Sequence, residues 1–130
     1  MNIEETKNWI KKAENDLKVV KYLIEGKDPI TDVICFHAQQ CVEKYLKAFL
    51  VYNNKSFHKT HNIAEILRLC IEIDTEFEEL AKIDVHELTV YATELRYPEF
   101  FYIPSIDEAK KCLELALKVQ EFVVKKLNIK

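Results

Sequence analysis

Glycine and proline are scarce in this chain, which has one glycine, Gly26, and three prolines among its 130 residues. These two residue types supply most of the tight turns that connect neighbouring β-strands. Their scarcity disfavours an all-β fold and favours helices. The single glycine also excludes the glycine-rich loops that hold phosphate groups in P-loop and dinucleotide-binding proteins.

An excess of basic residues is also missing. The 19 Lys and Arg residues stand against 22 Asp and Glu residues, which gives a formal net charge of −3. No general positive field therefore attracts nucleic acid, and any contact with a nucleotide or with RNA has to be local. Only Arg68 and Arg96 carry a guanidinium, the group best suited to bind a phosphate through two parallel hydrogen bonds.

Long apolar runs, signal patterns and paired cysteine motifs are absent as well. The sequence has no run of about 18 apolar residues and no N-terminal signal pattern, so we expect a cytoplasmic protein. Each cysteine lies within an apolar helical pattern, where a free thiol packs as a small hydrophobic side chain. We therefore expect free, buried thiols at all four positions, which are Cys35, Cys41, Cys70 and Cys112.

Helical periodicity is what the sequence does contain. Hydrophobic residues make up 48% and charged residues 32%, and the apolar positions recur every three or four residues. The pattern predicts an all-α, up-and-down helical bundle of four long helices plus a short helix, in one domain over residues 1–130. The long helices are predicted at residues 3–25, 29–53, 63–74 and 106–127. The short segment at 76–95 fits either one kinked helix or two.

Polar residues mark where these helices begin and end. Asn2, Asn62 and Ser105 each precede a Glu by three residues, which is the spacing of a capping box. Asp28 followed by Pro29 predicts the start of the second helix. Pro98 must end the segment before it, because proline lacks the N–H that a helix needs.

The second helix carries the densest apolar surface and the most unusual polar residues of the chain. At about 100° per residue, one half of the stretch from residue 36 to residue 50 is apolar and faces the core. The polar half is either a face exposed to solvent or one wall of a binding site, and the sequence fits both interpretations equally well. The polar half consists of His37, Gln39, Gln40, Glu43, Lys44 and Lys47.

Arg96, Tyr97 and Pro98 form the second constellation of interest. An Arg at the end of a helix is favoured by the helix macrodipole, which is a sufficient structural reason for Arg96. The alternative is that the Tyr-Pro stop fixes the guanidinium so that it binds a phosphate or a carboxylate. The loop that follows is rich in aromatic rings, which suit stacking on a base, a hydrophobic lid or a contact with a partner.

Metal binding and acid–base catalysis find little support in the sequence. His58 and His61 form a His-x-x-His pair, but they lie in a loop, and no further ligand stands at a supporting spacing. A zinc site needs three or four ligands, so we expect no metal. Acid–base chemistry would rest on His37, His61 or Glu43, and the sequence shows a partner for none of them. An enzyme is therefore not established.

Four segments of the chain stand out together. They are Trp9 with AENDL at 13–17, FHAQQ at 36–40 with EKYLKA at 43–48, HNI at 61–63 and RYP at 96–98. In this order they resemble the HEPN domain (higher eukaryotes and prokaryotes nucleotide-binding) family. The resemblance covers nearly the whole chain and implies a helical bundle, frequently homodimeric, in which helix two and the segment after helix four line a shared cleft. Many members are encoded with a minimal nucleotidyltransferase and act with it as a toxin–antitoxin pair.

One element of the family's ribonuclease members is missing. In those members an Arg is followed after four to six residues by a His, and the two cleave RNA without a metal. Arg96 matches the Arg, but positions 101 to 103 are Phe101, Tyr102 and Ile103. Cleavage needs a group with a pKa near 6.5 to accept the 2′-hydroxyl proton, and a phenol with a pKa near 10 is a poor substitute. His37 or His61 would have to stand in.

Taken with the resemblance, the residues favour a non-catalytic, dimeric HEPN module that binds a nucleotide or an RNA phosphate. It would need no cofactor, and a nucleotidyltransferase would be its partner. A metal-independent ribonuclease toxin that uses Arg96 and a non-standard base is one alternative. A structural domain whose aromatic loop docks a partner is another. The predicted ligand-binding residues are His37, Gln40, Glu43, Lys44, His61, Arg96 and Tyr97.

Overall fold

Three helices of 22 residues each form the body of the molecule in a computed structural model, which describes residues 2–128. They are α1 (Ile3–Ile24), α2 (Thr31–Tyr52) and α5 (Ile106–Leu127). Two further helices lie between α2 and α5, namely α3 (Ile63–Ile73) and the short α4 (Glu78–Lys82). The all-α bundle of four long helices and a short one is confirmed, and residues 2–128 contain no strand.

Helix α2 is the central element of this bundle. It packs against α1, α5 and α3. Fourteen of its 22 residues are buried, compared with five in α1. Because a helix buried on most of its circumference can expose few side chains, the polar residues of α2 must also meet other parts of the protein.

An aromatic cluster attaches the segment before α4 to the rest of the core. The ring of Phe77 lies 4.3 Å from that of Phe49 in α2 and 4.9 Å from that of Phe122 in α5, measured between ring centres. Phe77 is fully buried. One turn earlier on the same face of α2, the Tyr45 hydroxyl accepts a hydrogen bond of 2.9 Å from Gln120 Nε2. The buried face of α2 is thus joined to α5 by a hydrogen bond and by aromatic packing.

Three of the four predicted helix starts are confirmed. The side chains of Asn2, Asn62 and Ser105 accept hydrogen bonds from the backbone N–H three residues later, at 2.9, 3.2 and 3.1 Å. The predicted start at Asp28 and Pro29 is wrong. Ile30 has an extended backbone and is the N-cap, without a side-chain hydrogen bond, so helical geometry begins only at Thr31.

The segment predicted at 76–95 is neither one kinked helix nor two. After α4 the chain takes a left-handed conformation at Asp84, with φ of 61°, and this ends the α-helical geometry. Short 3₁₀ turns then follow at Val85–Tyr91, Glu94–Arg96 and Pro98–Phe100. Such turns have no long apolar stripe, which is why periodicity could not define them.

The four cysteines are free and buried, as predicted. Within residues 2–128, no helix combines the length and the apolar character that crossing a membrane requires.

Candidate functional site

Arg96 lies at the end of the 3₁₀ turn Glu94–Arg96 and is exposed. Its guanidinium carbon stands 4.8 Å from the centre of the Phe36 ring and 5.9 Å from that of the Tyr97 ring. A turn of three residues has few aligned peptide dipoles, so the macrodipole does not explain an Arg at this position. The Phe36 ring fixes the cation by a cation–π contact instead.

A surface cavity of about 300 Å³ opens beside this guanidinium. It lies between the first half of α2 and the turns that precede Pro98, and its volume is at the lower end of the range for ligand pockets. The volume suits a phosphate group together with part of the ligand that carries it. The lining residues are Asp32, Val33, Phe36, His37, Tyr91, Leu95 and Arg96.

Arg96 makes no ion pair with a carboxylate in the part of the chain that the structure describes. Arg68, by contrast, pairs with Glu72 at 2.6 Å. The acidic residue in the cavity lining is Asp32, and its carboxylate accepts a hydrogen bond of 3.1 Å from the backbone N–H of Val33. The cavity therefore contains a guanidinium whose hydrogen-bond donors are available to an anion.

His37 lines the same cavity and is held by a residue of α1. Asp16 Oδ1 stands 2.8 Å from His37 Nδ1, and Asp16 Oδ2 accepts a hydrogen bond of 2.6 Å from Lys44 Nζ. A carboxylate bound at Nδ1 fixes the orientation of the imidazole and leaves Nε2 as the ring nitrogen for a ligand. Asp16 thus joins two of the predicted site residues, His37 and Lys44.

Asp16 was not among the predicted site residues, although the sequence contained a signal. Ala13, Leu17 and Val20 form the buried stripe of α1, and position 16 lies on that stripe by helical spacing. An acidic residue on a buried stripe needs a partner, because an unpaired buried charge is costly. Periodicity therefore indicates that Asp16 needs a partner, but it does not show that the partner lies on α2.

Glu43 and His61 belong to a second polar cluster, away from the lining of the Arg96 cavity. Glu43 is buried. Its Oε2 accepts a hydrogen bond of 2.8 Å from Lys47 Nζ, and its Oε1 accepts one of 3.0 Å from Gln39 Nε2. The same Oε1 lies 2.9 Å from His61 Nδ1. Burial by itself raises the pKa of Glu43, but the hydrogen bonds from Lys47, His61 and Gln39 outweigh it and lower that pKa below its usual value.

Lys47 connects this cluster to the loop between α2 and α3. Its ammonium donates a hydrogen bond of 3.0 Å to the carbonyl oxygen of Thr60, and it lies 5.6 Å from the ring centres of both Trp9 and Phe57. The side chain is 6% exposed. Lys47 and Glu43 were expected on a polar half that is either solvated or part of a site. In the structure they bond to each other and to the loop before α3, and ligand binding by Glu43 stays a prediction.

Gln40 lies between the two clusters. Its Nε2 donates a hydrogen bond of 2.7 Å to Gln39 Oε1, and Gln39 in turn donates to Glu43. The polar half of α2 is therefore two adjacent rows. One row, with His37 and Lys44, meets Asp16 of α1, while the row with Gln39, Glu43 and Lys47 meets the loop before α3.

The His-x-x-His pair does not converge on one point. His58 Nε2 lies 3.7 Å from a Glu65 carboxylate oxygen, whereas His61 faces Glu43. Among the described residues, His, Cys, Asp and Glu side chains form no group of three or more that could hold a metal ion.

These features define a small, all-helical domain in which a partly buried histidine of the central helix lines an Arg-containing cavity. The sequence profile described as the HEPN domain matches residues 6–127. The chain therefore belongs to the HEPN domain family.

A relative and a solved structure agree with this assignment. The protein named "Putative toxin MJ1304" from Methanocaldococcus jannaschii is 31% identical over 138 residues, which cover 94% of this chain and 88% of that protein. The crystal structure of ST0689, an archaeal HEPN homologue, matches with a TM-score of 0.72 over 94% of this chain and 97% of its own. At 24% identity, the second match shows a shared fold.

Proposed function

We propose that this chain is a HEPN-type module that binds the phosphate of a nucleotide or of RNA in the cavity beside Arg96. The observation that carries the proposal is the Arg96 guanidinium, which is held over the Phe36 ring, exposed, and without an ion-pair partner among the described residues. Anions are the ligands that such a group binds through two parallel hydrogen bonds.

The neighbouring residues suit the same ligand. His37 lines the cavity, and the contact of its Nδ1 with Asp16 leaves Nε2 for a ligand. The positively charged Lys44 donates to the same Asp16 carboxylate. The ring of Tyr97 is 52% exposed and lies beside the guanidinium, where it can stack on a base. Arg96, His37 and Tyr97 contact the ligand in this proposal, and Asp16 and Lys44 position His37 and add charge.

We further propose that the protein is the toxin of a toxin–antitoxin pair, as a cytoplasmic homodimer whose partner is a minimal nucleotidyltransferase. The name of the relative from Methanocaldococcus jannaschii supports the toxin role. The nucleotidyltransferase and the homodimer rest on the family resemblance. A small nucleotidyltransferase in the neighbouring reading frame that co-purifies with this chain is the expected finding, and a neighbouring frame of another kind argues against the pairing.

Calorimetric titration with ATP, GTP and a short single-stranded RNA tests the binding proposal. Arg96→Ala should weaken binding of the preferred ligand at least tenfold, because a charged hydrogen bond of this type contributes about 1.5–3 kcal/mol. Arg68→Ala is the matched control, since Arg68 is an exposed Arg that already pairs with Glu72. Equal losses in both variants would show general charge attraction instead of a site at Arg96.

A metal-independent ribonuclease is a second candidate, and one observation favours it. His37 shares the cavity with Arg96, and Asp16 orients its ring. In this reaction His37 Nε2 accepts the proton of a 2′-hydroxyl, whose oxygen attacks the adjacent phosphorus. The bond from phosphorus to the 5′-oxygen breaks, the 5′-oxygen takes a proton from water and leaves as a 5′-hydroxyl, and a 2′,3′-cyclic phosphate remains. Arg96 stabilises the added negative charge.

RNA cleavage in the presence of EDTA distinguishes the two candidates. If the protein is a ribonuclease, His37→Gln and Arg96→Ala should each reduce cleavage at least 100-fold, and Arg68→Ala should leave it unchanged. Ligand binding without cleavage supports the binding module. If no nucleotide and no RNA binds, the interaction domain with a docking loop at residues 97–104 becomes the better interpretation.

A further inference from the structure

Two of the four cysteines contact each other in the core. The Cys112 thiol of α5 donates to the Cys35 sulfur of α2 at 3.4 Å, although the two residues are 77 positions apart in sequence. Cys70, by contrast, donates to the carbonyl oxygen of Leu46 at 3.7 Å. Cys41 is free and buried. Only Cys35 and Cys112 are therefore placed to react with each other.

Cys112 also contributes to the wall of a second surface cavity, of about 340 Å³. This cavity is separate from the one beside Arg96 and reaches the surface at Glu87 and Lys111, both of which are exposed. Cys112 is 3% exposed, whereas Cys35 lies behind it and is fully buried. A small reagent in this cavity thus meets Cys112 before it can meet Cys35.

The local chemistry distinguishes the two thiols in the same order. When Cys112 ionises, the Cys35 thiol donates a hydrogen bond to the Cys112 thiolate, and this lowers the pKa of Cys112. The same hydrogen bond keeps the proton on Cys35 and raises the pKa of Cys35. A thiolate is the nucleophilic form of cysteine and the form that peroxides oxidise. Cys41 and Cys70 lack such a donor, and burial raises their pKa values.

We propose that Cys112 and Cys35 are a redox-modification site, at which a hydroperoxide converts the two thiols into a reversible disulfide between α5 and α2. The Cys112 thiolate attacks one peroxide oxygen, the O–O bond breaks, and the leaving hydroxide takes up a proton to become water. Cys112 is then a sulfenic acid. The sulfur of Cys35 attacks the sulfur of Cys112, the S–O bond breaks, and the hydroxyl leaves as water with the proton of Cys35.

The balance is two thiols oxidised by two electrons and one hydrogen peroxide reduced to two waters. The two sulfurs must approach from 3.4 Å to a bond of about 2.05 Å. The new bond closes a loop that contains α3, α4 and Arg96. It stabilises the fold by restricting the unfolded chain.

Peptide mapping of the oxidised wild-type chain tests the proposal without any substitution. The reduced, folded protein is exposed to hydrogen peroxide, quenched and alkylated, and digested without reductant. We expect a peptide linked through Cys35 and Cys112, two hydrogens lighter than its parts, with Cys41 and Cys70 still alkylated. Dithiothreitol should reverse the link, and the oxidised form should melt roughly 5–15 °C higher.

Single substitutions separate the two steps. In Cys35→Ser, Cys112 should stop at the sulfenic acid, which a dimedone probe traps, whereas Cys112→Ser should leave Cys35 unmodified. Cys70→Ala is the matched control and should still form the link. The proposal is overturned if Cys41 or Cys70 reacts as fast as Cys112, or if all four thiols stay reduced until the protein is unfolded. None of these readouts depends on ligand binding at Arg96.

Discussion

At the scale of single residues, the same kinds of side chain serve two purposes on one helix. Asp16 joins His37 and Lys44 beside the Arg96 cavity, while Glu43 joins Lys47 and His61 to fasten a loop. Both carboxylates accept hydrogen bonds from a lysine and contact a histidine. Of the two sets, only the first has a member, His37, that lines the cavity beside Arg96. Ligand binding by Glu43 and His61 stays a prediction.

A first prediction concerns the acidic residue in the Arg96 cavity. Asp32 is exposed and lines the cavity, so its negative charge opposes any anion that binds there. Asp32→Asn should therefore tighten phosphate binding by roughly twofold to tenfold, in the opposite direction to Arg96→Ala. Calorimetry with the preferred nucleotide measures both, and equal affinity of Asp32→Asn and wild type would place the ligand elsewhere.

A second prediction concerns acid stability. The pKa of Glu43 is lower in the folded chain than in the unfolded chain. As the pH falls, Glu43 is therefore protonated in the unfolded chain before it is protonated in the folded chain. The contribution of Glu43 is complete above the unfolded pKa, near 4.3, and is lost as the pH falls from there through the folded pKa. Glu43→Gln should thus be less stable by roughly 3–5 kcal/mol at pH 7, because Lys47 stays buried without its partner.

Urea unfolding from pH 7 to pH 3 measures this difference, which should shrink below about pH 4.3. Glu121→Gln is the matched control. Glu121 also pairs with a lysine four residues later, Lys125, but both side chains are more than 70% exposed, so the change should cost under about 1 kcal/mol. A constant difference between wild type and Glu43→Gln over this pH range contradicts the assignment.

At the scale of elements, α2 organises the bundle, and the region after α3 depends on a few anchors. Residues 75–100 contain one short α-helix and several 3₁₀ turns, which cannot hold their shape by internal hydrogen bonds alone. Phe77 anchors the start of this region between α2 and α5. The position of Arg96 therefore depends on packing some distance from the cavity.

The third prediction tests this anchor. Phe77→Ala should lower the free energy of unfolding by roughly 3–5 kcal/mol, because it empties a fully buried aromatic position. Tyr22→Ala is the control, since Tyr22 is 80% exposed and its loss should cost about 0.5 kcal/mol or less. Urea unfolding measures both variants. Similar values for the two would show that the 75–77 segment contributes little to the core.

At the scale of the whole molecule, one surface stands out. The loop after Arg96 exposes a series of large apolar side chains, with Phe101 the most exposed at 81%. Contiguous apolar side chains on a surface usually contact another protein. The exposed large apolar residues of this loop are Tyr97, Phe100, Phe101, Tyr102 and Ile103.

A fourth prediction follows from the proposed homodimer. If this loop contributes to the dimer contact, Phe101→Ser should increase the dimer dissociation constant at least tenfold, because buried aromatic residues contribute most to interface affinity. Sedimentation equilibrium measures the constant, and Tyr22→Ser, an exposed aromatic residue on α1, is the control. A dimer that Phe101→Ser leaves unchanged must use another surface.

The sequence by itself determined the class of fold, the four long helices and the family. Apolar periodicity locates a helix and its buried face because both depend on neighbours within one turn. The caps at Asn2, Asn62 and Ser105 are equally local, since each bonds to a backbone group three residues later. Arg96 stood out for a compositional reason, as one of only two arginines.

Only the tertiary structure decided which polar residues meet. Periodicity assigned His37, Glu43 and Lys44 to one polar half, but α1 and the loop before α3 divide that half into two clusters with different roles. The backbone of residues 76–95 was also undetermined, since the left-handed Asp84 and the 3₁₀ turns are stable only against the packed core. The partners of Asp16 and Cys112 lie 21 or more positions away in sequence. Contacts over such separations depend on how helices pack, which no local pattern records.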